Sequence, residues 1–308
     1  MGLKNIMGIK KRLFLCLICT FCLVSASGCG EQKKASEEEE SLEVDRVVKA
    51  PEIETGETLP EENEVPQISE EWKMQVQAMI DERRQMGEMW SVYVEDIASG
   101  ASACLGDEQM ESASLIKLYT AAVSFQYMDE LESRQNYEGE TLELLGRMIR
   151  SSDNDAANEV VRRLGNWDAA LGMQRVNEFC VNGGFAQTHM GRLMLDFDAA
   201  DDNYTSAENC GRLVAGFCRN EWAGSEVILS FMREQERTGK IPAGLPAGTG
   251  FANKTGELED VENDVAVIYS LNSTYVLCVM SNRLLNTADA RNLISEISGV
   301  TCQYMAKN

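Results

Sequence analysis

Residues 250–281 read GFANKTGELEDVENDVAVIYSLNSTYVLCVMS. The β-branched and aromatic blocks of this stretch, separated by turn-forming residues, predict three strands over 250–254, 264–270 and 275–281. A last helix is expected near 287–305. Some 180 residues earlier the pattern is similar: helical spacing of apolar residues over 72–86, then Trp90-Ser91-Val92-Tyr93-Val94 as a strand ended by Ser99-Gly100. Residues 101–105 return as its hairpin partner. Between these ends lie helices near 114–129, 141–150, 154–164, 168–181, 206–219 and 225–236. Strands at both ends with helices between them imply one sheet assembled from distant segments. The fold class is α+β, with the middle helices as a separate lobe.

Upstream of this part the chain changes character. Lys4, Lys10, Lys11 and Arg12 precede an apolar run, Leu13 to Val24, too short to span a bilayer as a mature helix. Ala26-Ser27-Gly28 and then Cys29 follow the pattern of a lipoprotein cleavage site, so residues 1–28 are expected to be an export signal and Cys29 the lipid-bearing residue. A plain signal peptide cut nearby is the alternative. Both place the mature protein outside the cytoplasm, and the first anchors it to the cell membrane.

Between Gly30 and Pro66 stand thirteen acidic residues, four basic ones and no aromatic residue, including Glu37-Glu38-Glu39-Glu40. Such a segment buries too little apolar surface to fold, so 29–67 is expected to be a tether of roughly 35 Å end to end. The domain is expected over 68–308. The net charge is −22, and loss of the four signal cations takes it to about −26. That field repels nucleic acid and reads as a solvated surface. Six cysteines remain beyond Cys29, namely Cys104, Cys180, Cys210, Cys218, Cys278 and Cys302. They permit many disulfide connectivities and none is chosen. Neither a metal site nor a cofactor is expected, and the domain is expected to act as a monomer.

Three polar triplets carry the chemistry. Ser114-Leu115-Ile116-Lys117 opens a predicted helix and sets serine and lysine one turn apart on the same face. A serine hydroxyl needs a base, and a partly desolvated lysine amine can serve; the helix N-terminus favours developing negative charge. Thirty-eight residues on, Ser152-Asp153-Asn154 offers a second hydroxyl as a proton path and an amide that both donates and accepts. The same triplet also reads as a helix N-cap. Lys254-Thr255-Gly256 closes a predicted strand: Lys254 brings positive charge, Thr255 a hydroxyl for a substrate carboxylate, and Gly256 room for close approach. The backbone N–H of Glu257 is expected to join that of Ser114 as an oxyanion hole.

With these triplets, in this order, the chain resembles the class A β-lactamase-related serine hydrolases over roughly 70–305. Further phrases carry the likeness: Ala113-Ser114-Leu115-Ile116-Lys117-Leu118, Ser152-Asp153-Asn154-Asp155-Ala156-Ala157-Asn158, and Asn253-Lys254-Thr255-Gly256 with the following Glu262-Asn263-Asp264. The resemblance implies a β-lactamase/transpeptidase-like fold, an antiparallel sheet flanked by helices with the active site between sheet and helical lobe. It also implies an acyl-serine intermediate and a β-lactam or cell-wall peptide as substrate.

In one place the chain departs from that pattern. The family's Ω-loop glutamate, which activates the water that frees the acyl group, is expected just past a Thr-x-x-x-Arg stretch. Thr188-His189-Met190-Gly191-Arg192 fits the stretch, and Met194 stands where the glutamate belongs. Asp196 and Asp198 follow closely, as substitute bases or as a solvated loop, with the loop preferred. The segment between Ser114 and Ser152 is also shorter than usual. His189, the only histidine, is expected to pack a loop rather than complete a triad. Three functions therefore stand open: β-lactam hydrolysis, favoured; a penicillin-binding peptidase or esterase with slow deacylation; and a non-catalytic cell-wall-binding lipoprotein.

Overall fold

The computed structural model describes residues 67–307. The expected signal, the Cys29 anchor and all but the last residue of the tether lie outside the described residues.

Helix α1 (Glu70–Arg84) leads into strands β1 (Met89–Asp96), β2 (Ser102–Leu105) and β3 (Met110–Glu111). A 3-10 turn at Ala113–Leu115 then opens α2 (Ile116–Gln126), followed by α3 (Met128–Glu132), α4 (Glu140–Arg150), α5 (Asn154–Leu164) and α6 (Ala169–Asn182). Strands β4 (His189–Met190) and β5 (Asn203–Thr205) precede α7 (Ala207–Cys218) and α8 (Ser225–Arg233). The chain closes with β6 (Gly250–Leu258), β7 (Val261–Tyr269), β8 (Thr274–Asn282) and α9 (Thr287–Met305).

The main sheet has the order β2-β1-β8-β7-β6, and every neighbouring pair is antiparallel. The N-terminal strand thus inserts beside the last one, as strands at both ends of the chain required. Side chains alternate between two faces. Trp90, Val92 and Val94, with Tyr275, Leu277 and Val279, pack with Trp72, Val76 and Ile80 of α1 and Ile294 and Ile297 of α9. On the other face Tyr93, Val265, Val267, Val276, Cys278 and Met280 join the cores of the middle helices. Each fully buried large aliphatic or aromatic side chain contributes about 1.5–3 kcal/mol relative to exposure. With both faces covered, a one-residue slip of register would exchange the two sets.

The middle helices do not all form a separate lobe. Helix α7 lies directly on the sheet, in contact with β1, β7 and β8. Its close approach depends on Gly211, where an added Cβ would stand 2.1 Å from the Tyr93 ring. The expected single helix 114–129 is instead the 3-10 turn and α2, broken from α3 at Tyr127. A second sheet, β3-β5-β4, was not foreseen; it ties the segment before Ser114 to the loop after Thr188. Among the described residues no helix is long and apolar enough to cross a membrane. All six cysteines are free thiols.

Candidate active site

Ser114 lies on the 3-10 turn that leads into α2, whose N-terminus has no side-chain cap. The turn is anchored from two sides: the Ser112 N–H donates to Asn203 O at 2.8 Å, and Asn263 Nδ2 donates to Glu111 O at 2.9 Å. Asn263 belongs to β7, so the sheet itself holds the serine.

In the first turn of α2, Lys117 is fully buried. Its Nζ donates to Ser152 O at 2.6 Å, Asn154 Oδ1 at 2.7 Å and Ser152 Oγ at 3.2 Å. Burial pushes its pKa down to about 7; the Asp153 carboxylate opposes that fall and Arg237 adds to it. Lys254 Nζ, also fully buried, reaches the same Ser152 Oγ at 2.9 Å and Thr255 O at 2.7 Å. Burial holds it well below the usual lysine range, reinforced by Lys117 and Arg237. One hydroxyl thus bridges two buried amines, which disfavours charge on both at once.

The Ser152-Asp153-Asn154 triplet caps a helix and also turns its serine hydroxyl towards both lysines. Asp153 Oδ1 caps α5 by accepting from Ala156 N at 3.0 Å, and its other oxygen pairs with Arg147. That cap holds Ser152 at φ 61° with its hydroxyl between the lysines. The expectation for the Asn154 amide is that it both donates and accepts towards substrate. Its oxygen accepts from Lys117 with one lone pair, and its Nδ2 remains available as a donor.

Strand β6 is the edge of the sheet. An added Cβ on Gly256 would stand 2.7 Å from Ser112 O and 3.2 Å from Ser114 N, so only glycine lets the strand lie against the serine turn. Glu259 and Asp260 form a two-residue loop closed by Leu258 opposite Val261. Such a loop is closed by a hydrogen-bonded pair, so by alternation Gly256–Asn263 is also hydrogen-bonded and Glu257–Glu262 is not. The Glu257 N–H therefore projects from the free edge of β6, beside the Ser114 turn. Thr255 is buried, and its Oγ1 has no hydrogen-bond partner within the described residues.

Ser114, Ser152, Asn154 and Glu257 border a cleft lined also by Arg192, Met194, Leu195, Phe197, Arg237 and neighbours. Three of its residues, Ala113, Ser152 and Leu195, adopt positive φ, which non-glycine residues hold only where the surroundings enforce it. Met194 is fixed by Asn158, whose amide accepts from Met194 N at 2.7 Å and donates to Met194 O at 3.0 Å. The side chain at the expected place of the glutamate thus lines the cleft as a thioether. Asp196 and Asp198 are exposed and are not among the residues lining it.

His189 stands on β4 instead of a loop. Its Nε2 lies 2.6 Å from Asp201 Oδ2 in a surface depression that shares no residue with the Ser114 cleft. Among the described residues, one group has metal-ligand spacing: Cys104, Asp107 and Glu208, with ligand atoms within 4.8 Å of one another. It too shares nothing with the cleft.

Sequence reading missed two cations. Arg237 lines the cleft and pairs with Glu257 at 2.9 Å. Lys240, almost fully buried, pairs with Glu262 at 2.6 Å and Glu257 at 3.2 Å. Both sit in a polar segment that resembles any solvated loop, and no local signal marks them.

The profile of the Beta-lactamase enzyme family matches residues 71–305. Solved structures agree in fold. PBP-A is 24% identical, covers 79% of this chain and all of its own, and superposes with a TM-score of 0.68. A PBP-A mutant in an acyl-enzyme complex with penicillin G is 25% identical over 77% of this chain and 97% of its own, with a TM-score of 0.67. A β-lactamase from Sphaerobacter thermophilus DSM 20745 is 19% identical over 76% and 97% of the two chains, with a TM-score of 0.65. No curated protein matches. Since the family profile spans most of the sequence and the whole fold from α1 to α9, the chain belongs to the β-lactamase enzyme family and is a β-lactamase-like serine hydrolase.

Proposed function

We propose that this protein is acylated at Ser114 by β-lactams and by cell-wall peptides of D-alanyl type, and that it releases the acyl group slowly. The observation that carries the first half is the fully buried Lys117, with a pKa near 7, joined through Ser152 to Lys254. In the neutral amine, the two shortest contacts go to oxygens that only accept, so they hold both hydrogens. The lone pair then serves as acceptor for the Ser114 proton, directly or through the Ser152 hydroxyl 3.2 Å away. Ser152 relays a proton to the leaving nitrogen, with Lys254 holding its oxygen. The N–H groups of Ser114 and Glu257 stabilise the oxyanion, Asn154 Nδ2 binds the acyl side chain, and Thr255 with Arg237 binds the substrate carboxylate.

Slow release follows from Met194. A thioether activates no water, and Glu257, the only carboxylate among the described residues that line the cleft, is committed to Arg237 and Lys240. The hydrolytic reading favoured from sequence keeps its acylation half and loses speed in its second half. Anchoring at the outer face of the cell membrane through Cys29 is part of the same proposal and rests on the signal pattern alone.

The test is to mix the protein with a chromogenic penicillin and follow intact mass and product together. Stoichiometric adduct that persists for many minutes, with little product, is the expected result. Rapid product with no accumulating adduct would show a water-activating group other than those lining the cleft and refute slow release.

A further inference from the structure

We propose that Lys240 is a positioning residue for the oxyanion hole, acting through the Gly256–Glu257 peptide. The inference rests on the acylation reading above. Lys240 Nζ donates to Gly256 O at 3.3 Å and to Asn263 O at 3.0 Å. Gly256 O and the Glu257 N–H are the two ends of one peptide unit, and that N–H is the one directed from the free edge of β6. A cation on the carbonyl end draws electron density towards oxygen, makes the N–H a stronger donor and fixes the peptide plane.

Everything around the ammonium holds it there. Its charge is met by Glu262 Oε2 at 2.6 Å, and Arg291 holds the other Glu262 oxygen at 2.6 Å. The backbone just after it is tied down because Asp264 Oδ2 accepts from Ile241 N at 3.0 Å. Glu257 Oε1 lies 3.2 Å from Nζ, so the ammonium also offsets a carboxylate on the very residue that offers the oxyanion donor. Without Lys240, that negative charge would oppose the developing oxyanion.

Removal of a whole oxyanion donor costs about 10²–10³ in rate, so weakening one through its peptide is expected to cost roughly tenfold. The experiment uses the full chain as wild type, Lys240→Met, Lys240→Arg and the double variant Lys240→Met/Glu262→Gln. The double variant removes the buried pair together and guards against a folding defect from an unpaired Glu262; circular dichroism and melting confirm the fold of each. The probe is penicillin G carrying ¹³C at the β-lactam carbonyl. Acylation is timed by rapid quench and mass, and the acyl carbonyl band is read by infrared difference.

In Lys240→Met and in the double variant, the saturating acylation rate should fall roughly tenfold with half-saturation unchanged. The acyl carbonyl band should move to higher wavenumber, as hydrogen bonding to it weakens. Lys240→Arg should recover part of both. A slowed rate with an unmoved band, or a change in half-saturation alone, would assign Lys240 a merely structural role and overturn the proposal, as would wild-type behaviour of Lys240→Met. If wild type forms no adduct on Ser114, the acylation reading itself fails, and this inference falls with it.

Discussion

The Lys117 amine offers the sharpest quantitative test, because as the proposed base for Ser114 its charge state would set the rate of acylation. With an ordinary lysine pKa of 10.5, about one amine in 3,000 would be neutral at pH 7; with a pKa of about 7, roughly half are. Burial therefore raises the supply of free base by about 10³. Acylation at saturating penicillin should climb about tenfold between pH 6 and pH 8 and then level off. Two substitutions should move this limb in opposite directions. Asp153→Asn deletes the charge that raises the Lys117 pKa, so the limb should shift to lower pH, while asparagine still caps α5. Arg237→Gln deletes a cation that lowers it, so the limb should shift upward. Stopped-flow acylation from about pH 5 to 9 reads both. A limb near the ordinary lysine value, or shifts of the same sign in the two variants, would refute Lys117 as the base.

Met194→Glu should raise the rate of acyl release by about 10²-fold or more, since a carboxylate at this cleft-lining position supplies a general base for water; product formation in steady state checks it. Gly256→Ala should leave the protein folded yet cut acylation by about 10²-fold. The new methyl, 2.7 Å from Ser112 O, would lift β6 off the serine turn, which adduct formation timed by mass reads directly. Lys117 should also mark the pH dependence of stability. Its folded pKa is depressed, so between about pH 7 and 10.5 the unfolded chain binds the extra proton and stability rises with pH. The melting temperature of wild type relative to Lys117→Met should therefore increase from pH 7 to 9; a constant difference would contradict a buried amine titrating near 7.

Much of this architecture was legible because periodicity was strong. Helix α5 begins and ends where expected, at 154 and 164, and α9 runs from 287 to 305 as read. The main sheet followed from strands at both ends of the chain. The second sheet was invisible since strands of two or three residues, such as His189–Met190, carry no alternation. The position of α7 was also hidden. An amphipathic pattern shows that a helix has a buried face, but only the Gly211 contact with Tyr93 tells what covers it. The chemistry of the site was readable where motifs carry fixed spacing, and the structure brings Ser114, Lys117, Ser152, Asn154, Lys254 and Gly256 together. Lys240 and Arg237 had no such spacing. Their roles depend on which carbonyls and carboxylates meet them across β6 and β7, which is tertiary information.

The proposed function turns on a lasting acyl bond between Ser114 and a β-lactam. Incubation with penicillin G, proteolysis and mass mapping of the adduct detects that bond and locates it. A single penicilloyl group is expected on the peptide that carries Ser114, lost entirely in Ser114→Ala. A correctly folded wild-type protein that forms no adduct, or one acylated at another residue, would contradict it.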